Sequence, residues 1–251
     1  MWDRFIFLGA VLDASDKSIN PYLKEEIIEF RSDKTVRKKV EEIRELFKNK
    51  KQCLLHGDFH TSNIFVAKEN LKIFDTEFSM YGPSSYDMGR LLANRILNYA
   101  SIITLKFETG NEDYQNYLLE LIENIYSKFI EKFYELTNKY SNYSDKYIDD
   151  YFKDYIYETV SFTAITMIMR IYEEGLCLDF KRIKNLRERS LGQRFIIELA
   201  EKLLYNNRNI NDIKDFKKFI KDFNLKHEIK KVVEITVQLY QDKSKKMIDK
   251  A

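Results

Sequence analysis

Short apolar runs separated by acids, from Cys53 to Arg90 (CLLHGDFHTSNIFVAKENLKIFDTEFSMYGPSSYDMGR), constrain this chain more than any other stretch. Cys53 to Leu55 is long enough for a short strand but not a helix, and the polar loop that follows begins at Gly57. Two further runs, Ile64 to Val66 and Leu71 to Phe74, flank Lys68-Glu69-Asn70 and predict a hairpin. Closing that hairpin brings together Asp58 and Asn63, ahead of its first strand, with Asp75 and Glu77, behind its second. Gly82-Pro83 breaks the segment, and Asp87 before Met88, Leu91 and Leu92 reads as a helix-start residue.

This set suits phosphoryl transfer, in which a protein works by positioning and charge rather than by forming bonds. One carboxylate must orient an attacking hydroxyl and accept its proton, and Asp58 at the strand-to-loop turn fits that task. Other groups must hold magnesium, a hard cation that prefers oxygen, and Asn63, Asp75 and Glu77 fit that one. His56 and His60 are four apart, but a shared zinc would need them on one face of a helix, where Gly57 and Asp58 sit badly; they read instead as loop support.

The order HGDFHTSNIF, then FDTEFSMYGPSSYDMG, resembles the methylthioribose kinase family of the aminoglycoside/choline kinase-like superfamily. That family's pattern has HGD-x-HT, an Asp-x-Glu metal motif, a Phe/Tyr-Gly-Pro step and a Phe/Tyr-Asp-x-Gly helix start. The resemblance implies Asp58 as catalytic base, Asp75 and Glu77 as magnesium ligands, Asp87 as support for the catalytic loop, and ATP as co-substrate. Where this chain has Asn63 the family usually has Ser, and Asn is the residue of the wider superfamily. The family also carries an Arg-Arg pair that helps bind the sugar; the aligned residues here are Met169 and Arg170, so Arg170 alone carries over. The implied fold is α+β and mainly α: the C-terminal helical lobe of a protein-kinase-like fold, with a small β-hairpin at the active site.

A kinase of this kind also needs a glycine-rich loop over the phosphates and a strand lysine. The seven glycines are scattered, and no stretch before Cys53 alternates as a strand does. Residues 1–251 are therefore expected to form a single C-terminal lobe, with the ATP-clamping lobe absent and a separate N-terminal lobe or a second copy as partner. Two classes of function stay open. One is a kinase lobe acting on the primary hydroxyl of S-methyl-5-thioribose in methionine salvage, or an aminoglycoside/choline-type relative with another small-alcohol acceptor. The other is a noncatalytic remnant or binding module.

Elsewhere the chain reads as helices. Phe5 to Leu12, apolar but too short and too little basic at its start for a secretory leader, reads as a buried helix, and Ser18 to Pro21 as a break. From Ser32 as cap, Val36, Val40, Ile43 and Phe47 recur at helical spacing. Helices are predicted from Ser84 or Ser85 to Leu105, from Asp113 to Lys139, and from Ile148 to Glu174 with Gly175 as terminator. Three more follow, over Leu191 to Tyr205, Ile210 to Phe223 and Leu225 to Asp242. The stripe of Phe195, Leu199 and Leu203 reads as core.

With 42 basic and 40 acidic residues the net charge is +2, which leaves no footprint for a nucleic acid. No apolar run approaches the roughly 20 residues of a membrane span. The two cysteines form no disulfide framework, which points to reduced thiols and a cytoplasmic setting.

Overall fold

The computed structural model describes residues 19–103, 111–172 and 177–224, together with residues 6, 7 and 11. A 3-10 turn at Pro21–Leu23 leads into α1 (Lys24–Ser32) and α2 (Lys34–Asn49). Four short strands follow: β1 (Cys53–Leu55), β2 (Ile64–Val66), β3 (Leu71–Ile73) and β4 (Met80–Gly82). The rest is helical: α3 (Ser85–Ile103), α4 (Asn111–Tyr140), α5 (Asp145–Tyr172), α6 (Leu178–Lys181), α7 (Leu186–Asn206), and α8 over residues 213–224.

The core is built on α5, which is buried on every face from Glu158 to Tyr172 and packs most extensively against α3, with α7 touching both. A glycine permits the close crossing of α3 and α5. A Cβ at Gly89 would lie 2.6 Å from Phe162 Cβ, and the hydroxyl of Thr163 donates to the Gly89 carbonyl at 3.2 Å. The predicted stripe of α2, Val36, Val40, Ile43 and Phe47, is buried. The Phe47 ring meets Tyr86 of α3 at 5.0 Å and Phe162 of α5 at 6.1 Å, so three helices close on one aromatic cluster. Phe195, Leu199 and Leu203 are buried, as expected of a core stripe.

The hairpin forms as read, with Ile64 opposite Ile73 and Val66 opposite Leu71, closed by hydrogen bonds between Ala67 and Asn70. It is not the only strand pair. β1 runs antiparallel to β4, with Cys53 opposite Gly82 and Leu55 opposite Met80, so everything between β1 and β4 is one excursion that starts and ends at the same place.

Other boundaries shift for local reasons. The cap of α2 is Asp33, whose side chain accepts from the Val36 amide at 2.8 Å, while Ser32 belongs to α1 and donates to the Glu29 carbonyl. Asp87 does not cap α3 but lies inside its first turn, freed for another task. Helix α5 starts at Asp145, earlier than predicted. The readings of Phe5 to Leu12 as a buried helix (apart from Ile6, Phe7 and Val11, which are buried), of Gly175 as a terminator, and of the helix from Leu225 to Asp242 lie outside the described residues. Cys53 and Cys177 are free; burial pushes the Cys177 thiol up to about 11 and raises that of Cys53, so neither is poised to react. Among the described residues no helix is long and apolar enough to cross a membrane.

Candidate active site

The loop after β1 is held from three directions. Gly57 has φ +85°, and an added Cβ there would sit 2.1 Å from the Phe78 carbonyl oxygen, so both the turn and the returning chain require glycine. The Asp87 carboxylate accepts from the amides of His56 at 2.6 Å and Gly57 at 3.1 Å. The His56 ring spans the third gap: Nε2 lies 2.9 Å from the Phe74 carbonyl, and Nδ1 accepts from the Asp58 amide at 3.3 Å. A carbonyl can only accept, so these partners together select the neutral ring with its proton on Nε2.

So braced, the loop presents Asp58 to three cationic or donor side chains. Its Oδ1 is shared by Arg90 of α3 and by Arg170 of α5, the latter at 3.1 Å, and its Oδ2 faces His60 Nε2 at 3.3 Å. His60 Nδ1 in turn accepts from the Ser62 amide, capping the 3-10 turn Thr61–Asn63. Burial works against the Asp58 charge, but the His60 hydrogen bond and the two guanidiniums overcome it and hold the carboxyl well below the usual carboxylate range. Asp87 goes the other way: burial outweighs the two amide hydrogen bonds and raises its pKa.

Arg90 was not singled out by its motif. It is 2% exposed, its Nη1 donates to the Tyr86 hydroxyl at 3.0 Å, and although burial opposes its charge, Tyr86 and Asp58 outweigh that and raise its pKa. A usable signal was present, since a cation among Met88, Leu91 and Leu92, three residues after Asp87, must share that helix face and find an anion when buried. Arg170 reaches Asp58, while its neighbour Met169 is 1% exposed within the core.

The expected magnesium ligands gather around the hairpin. Asn63 is buried, and its amide nitrogen donates to the Asp58 carbonyl at 3.1 Å, which leaves the carboxamide oxygen for a cation. The Phe74 amide donates to the Asn63 carbonyl at 3.2 Å, so Asp75 emerges beside Asn63. Asp75 has φ +65°, alone among the described non-glycine residues, a conformation disfavoured for most side chains and a sign of local constraint. Asp75 and Glu77 are exposed. No group of three or more His, Cys, Asp or Glu side chains is placed to hold a metal among the described residues. Two carboxylates and one amide oxygen nevertheless fit an ion that completes its shell with water and phosphate oxygens.

Residues 10–109 match the Phosphotransferase enzyme family. Methylthioribose kinase 2 of Oryza sativa subsp. japonica is 26% identical over 220 residues, covering 79% of this chain and 50% of the relative. Methylthioribose kinase of Bacillus cereus (strain 03BB102) is 30% identical over 194 residues, 75% of this chain and 47% of the relative. A second, from Bacillus cereus (strain AH820), is 38% identical over 111 residues, 44% of this chain and 26% of the relative. The chain thus spans at most 50% of the length of these curated relatives. It is a relative of the kinase-like phosphotransferases, similar over that span to enzymes named methylthioribose kinase.

Proposed function

We propose that this chain supplies the acceptor-binding and base-bearing lobe of an ATP-dependent kinase that phosphorylates the primary hydroxyl of S-methyl-5-thioribose or a similar small alcohol. The observation that carries the reading is Asp58, an ionised carboxylate on a loop fixed by Asp87 and flanked by Arg90 and Arg170. The acceptor oxygen attacks the γ-phosphorus, the bond from phosphorus to the ADP oxygen breaks, and the hydroxyl proton passes to Asp58. With its pKa held low, Asp58 is a weak base. Its main service is to accept the hydroxyl hydrogen bond and aim the lone pair, with proton transfer late, as a loose transition state allows.

Arg170 can turn its fork from Asp58 to neighbouring sugar hydroxyls, while Arg90, more deeply buried, keeps the carboxylate ionised. Magnesium held by the Asn63 carboxamide oxygen, Asp75 and Glu77 would supply charge neutralisation at the phosphates. The nucleotide clamp belongs, in this reading, to a separate lobe seated over the hairpin. Supporting that placement, Phe65 and Phe74 stack at 4.3 Å on the hairpin with Val66 and Leu71 exposed beside them.

The deciding experiment is ADP release with S-methyl-5-thioribose, the N-terminal half of a methylthioribose kinase being added in trans. Turnover that disappears in Asp58→Asn while sugar binding persists supports the kinase; equal rates in the two proteins exclude this mechanism. Sugar binding with no turnover in any pairing selects the noncatalytic binding module.

A further inference from the structure

Glu158 lies in the middle of α5 with its side chain 3% exposed, and neither the acceptor side nor the phosphate side of the site uses it. Its two oxygens are divided between two segments. One takes the ammonium of Lys50, the residue that closes α2; the other accepts the hydroxyl of Ser85, the first residue of α3, at 2.6 Å. Lys50 stands just ahead of β1, which runs directly into His56, Gly57 and Asp58. Ser85 stands just ahead of Asp87 and Arg90. The same two segments meet again at the site, where Asp87 holds the His56 and Gly57 amides and Arg90 holds Asp58. Stability alone gives no reason for a carboxylate here, because a well-packed apolar pair in place of a buried ion pair is often as stable. Geometry gives one: a single rigid point anchors the upstream ends of both segments.

We propose that Glu158 is a positioning residue for the Asp58 loop, fixing the separation of β1 from the start of α3 through Lys50 and Ser85. Its consequence for turnover rests on the kinase reading; its consequence for the loop does not. The test is amide hydrogen exchange by NMR in the wild type, Ser85→Ala and the Lys50→Met/Glu158→Met double variant. Ser85→Ala cuts one arm and leaves the buried charges paired, and the double variant removes both charges together, so each retains a folded core. The His56 and Gly57 amides should exchange about tenfold faster in both variants, while core amides such as that of Leu199 keep their rates. In the coupled assay kcat should fall about tenfold with the KM for the acceptor unchanged, the pattern of lost alignment. Unchanged exchange at His56 and Gly57 overturns the proposal, as does acceleration spread evenly over the core, which would mark a purely structural role. A wild type that transfers no phosphate ends the kinase reading, and the exchange pattern still decides the tether.

Discussion

At the scale of single residues the site is governed by how one carboxylate is surrounded. Arg90 is buried against Asp58 and Tyr86, so Arg90→Met should cost about 3 kcal/mol in urea denaturation, the low end for a broken buried pair because Arg170 remains. A loss below about 0.5 kcal/mol, the usual range of a surface change, would mean the pair contributes nothing. The pH dependence has a definite sign. The folded-state pKa of Asp58 lies below its ordinary 3.8, so its stabilisation is fully present above the unfolded value and is lost as pH falls through that value and below it. Between about pH 5 and pH 3 the melting temperature of the wild type should therefore drop more steeply than that of Asp58→Asn, which has no such proton to take up. Parallel curves would show that Asp58 is not held ionised by its neighbours.

At the scale of elements, Arg90 and Arg170 reach one oxygen because α3 and α5 cross closely at Gly89. In Gly89→Ala the new methyl would meet Phe162 Cβ and the backbone of Thr159 and Thr163, none of which is a flexible side-chain end. The helices must separate, and a stability loss of about 1–3 kcal/mol is expected in denaturant titration, together with weakened acceptor binding. Undiminished affinity would show that the crossing does not set the site. A long periodic element such as α2 was legible because its apolar spacing repeats over several turns. Helix α1 was not, since most of its residues are charged and only Ile27 and Phe30 are buried. Strand β4 was missed because Met80-Tyr81-Gly82 carries little strand character and its partner lies a whole loop upstream. The cap fell at Asp33 rather than Ser32 because α1 runs through the serine. The gathering of Asp58, Asn63 and Asp75 around one loop and hairpin was legible from order and spacing, whereas the bracing of the loop by Asp87 and the choice of Arg170 came only through the resemblance. For Arg90 a local signal existed in its place on an apolar helix face, but nothing near it names Asp58 as its partner, and the partners of Glu158, Lys50 and Ser85, are likewise distant in sequence.

At the scale of the molecule, the proposed reading puts the acceptor side and the phosphate side on different foundations. Arg90 and Arg170 belong to the helical core, whereas Asp75 and Glu77 project from a hairpin whose strand residues Phe65, Val66, Leu71 and Ile73 are exposed. A lone two-stranded hairpin is only marginally stable, so its geometry should depend on what covers it, while the core-mounted side should already be organised. Calorimetric titration of the chain alone with S-methyl-5-thioribose should then show binding without nucleotide. Arg170→Ala should weaken that binding about tenfold or more, the loss expected for a hydrogen bond from a charged group. Asp75→Asn with Glu77→Gln should leave it unchanged, because the proposed function assigns these exposed side chains to the phosphates, and should instead abolish the magnesium dependence of nucleotide binding once the covering lobe is added. If the hairpin pair weakened sugar binding as much as Arg170→Ala does, the two halves would form one coupled site, and a covering lobe would have to organise acceptor and phosphates together.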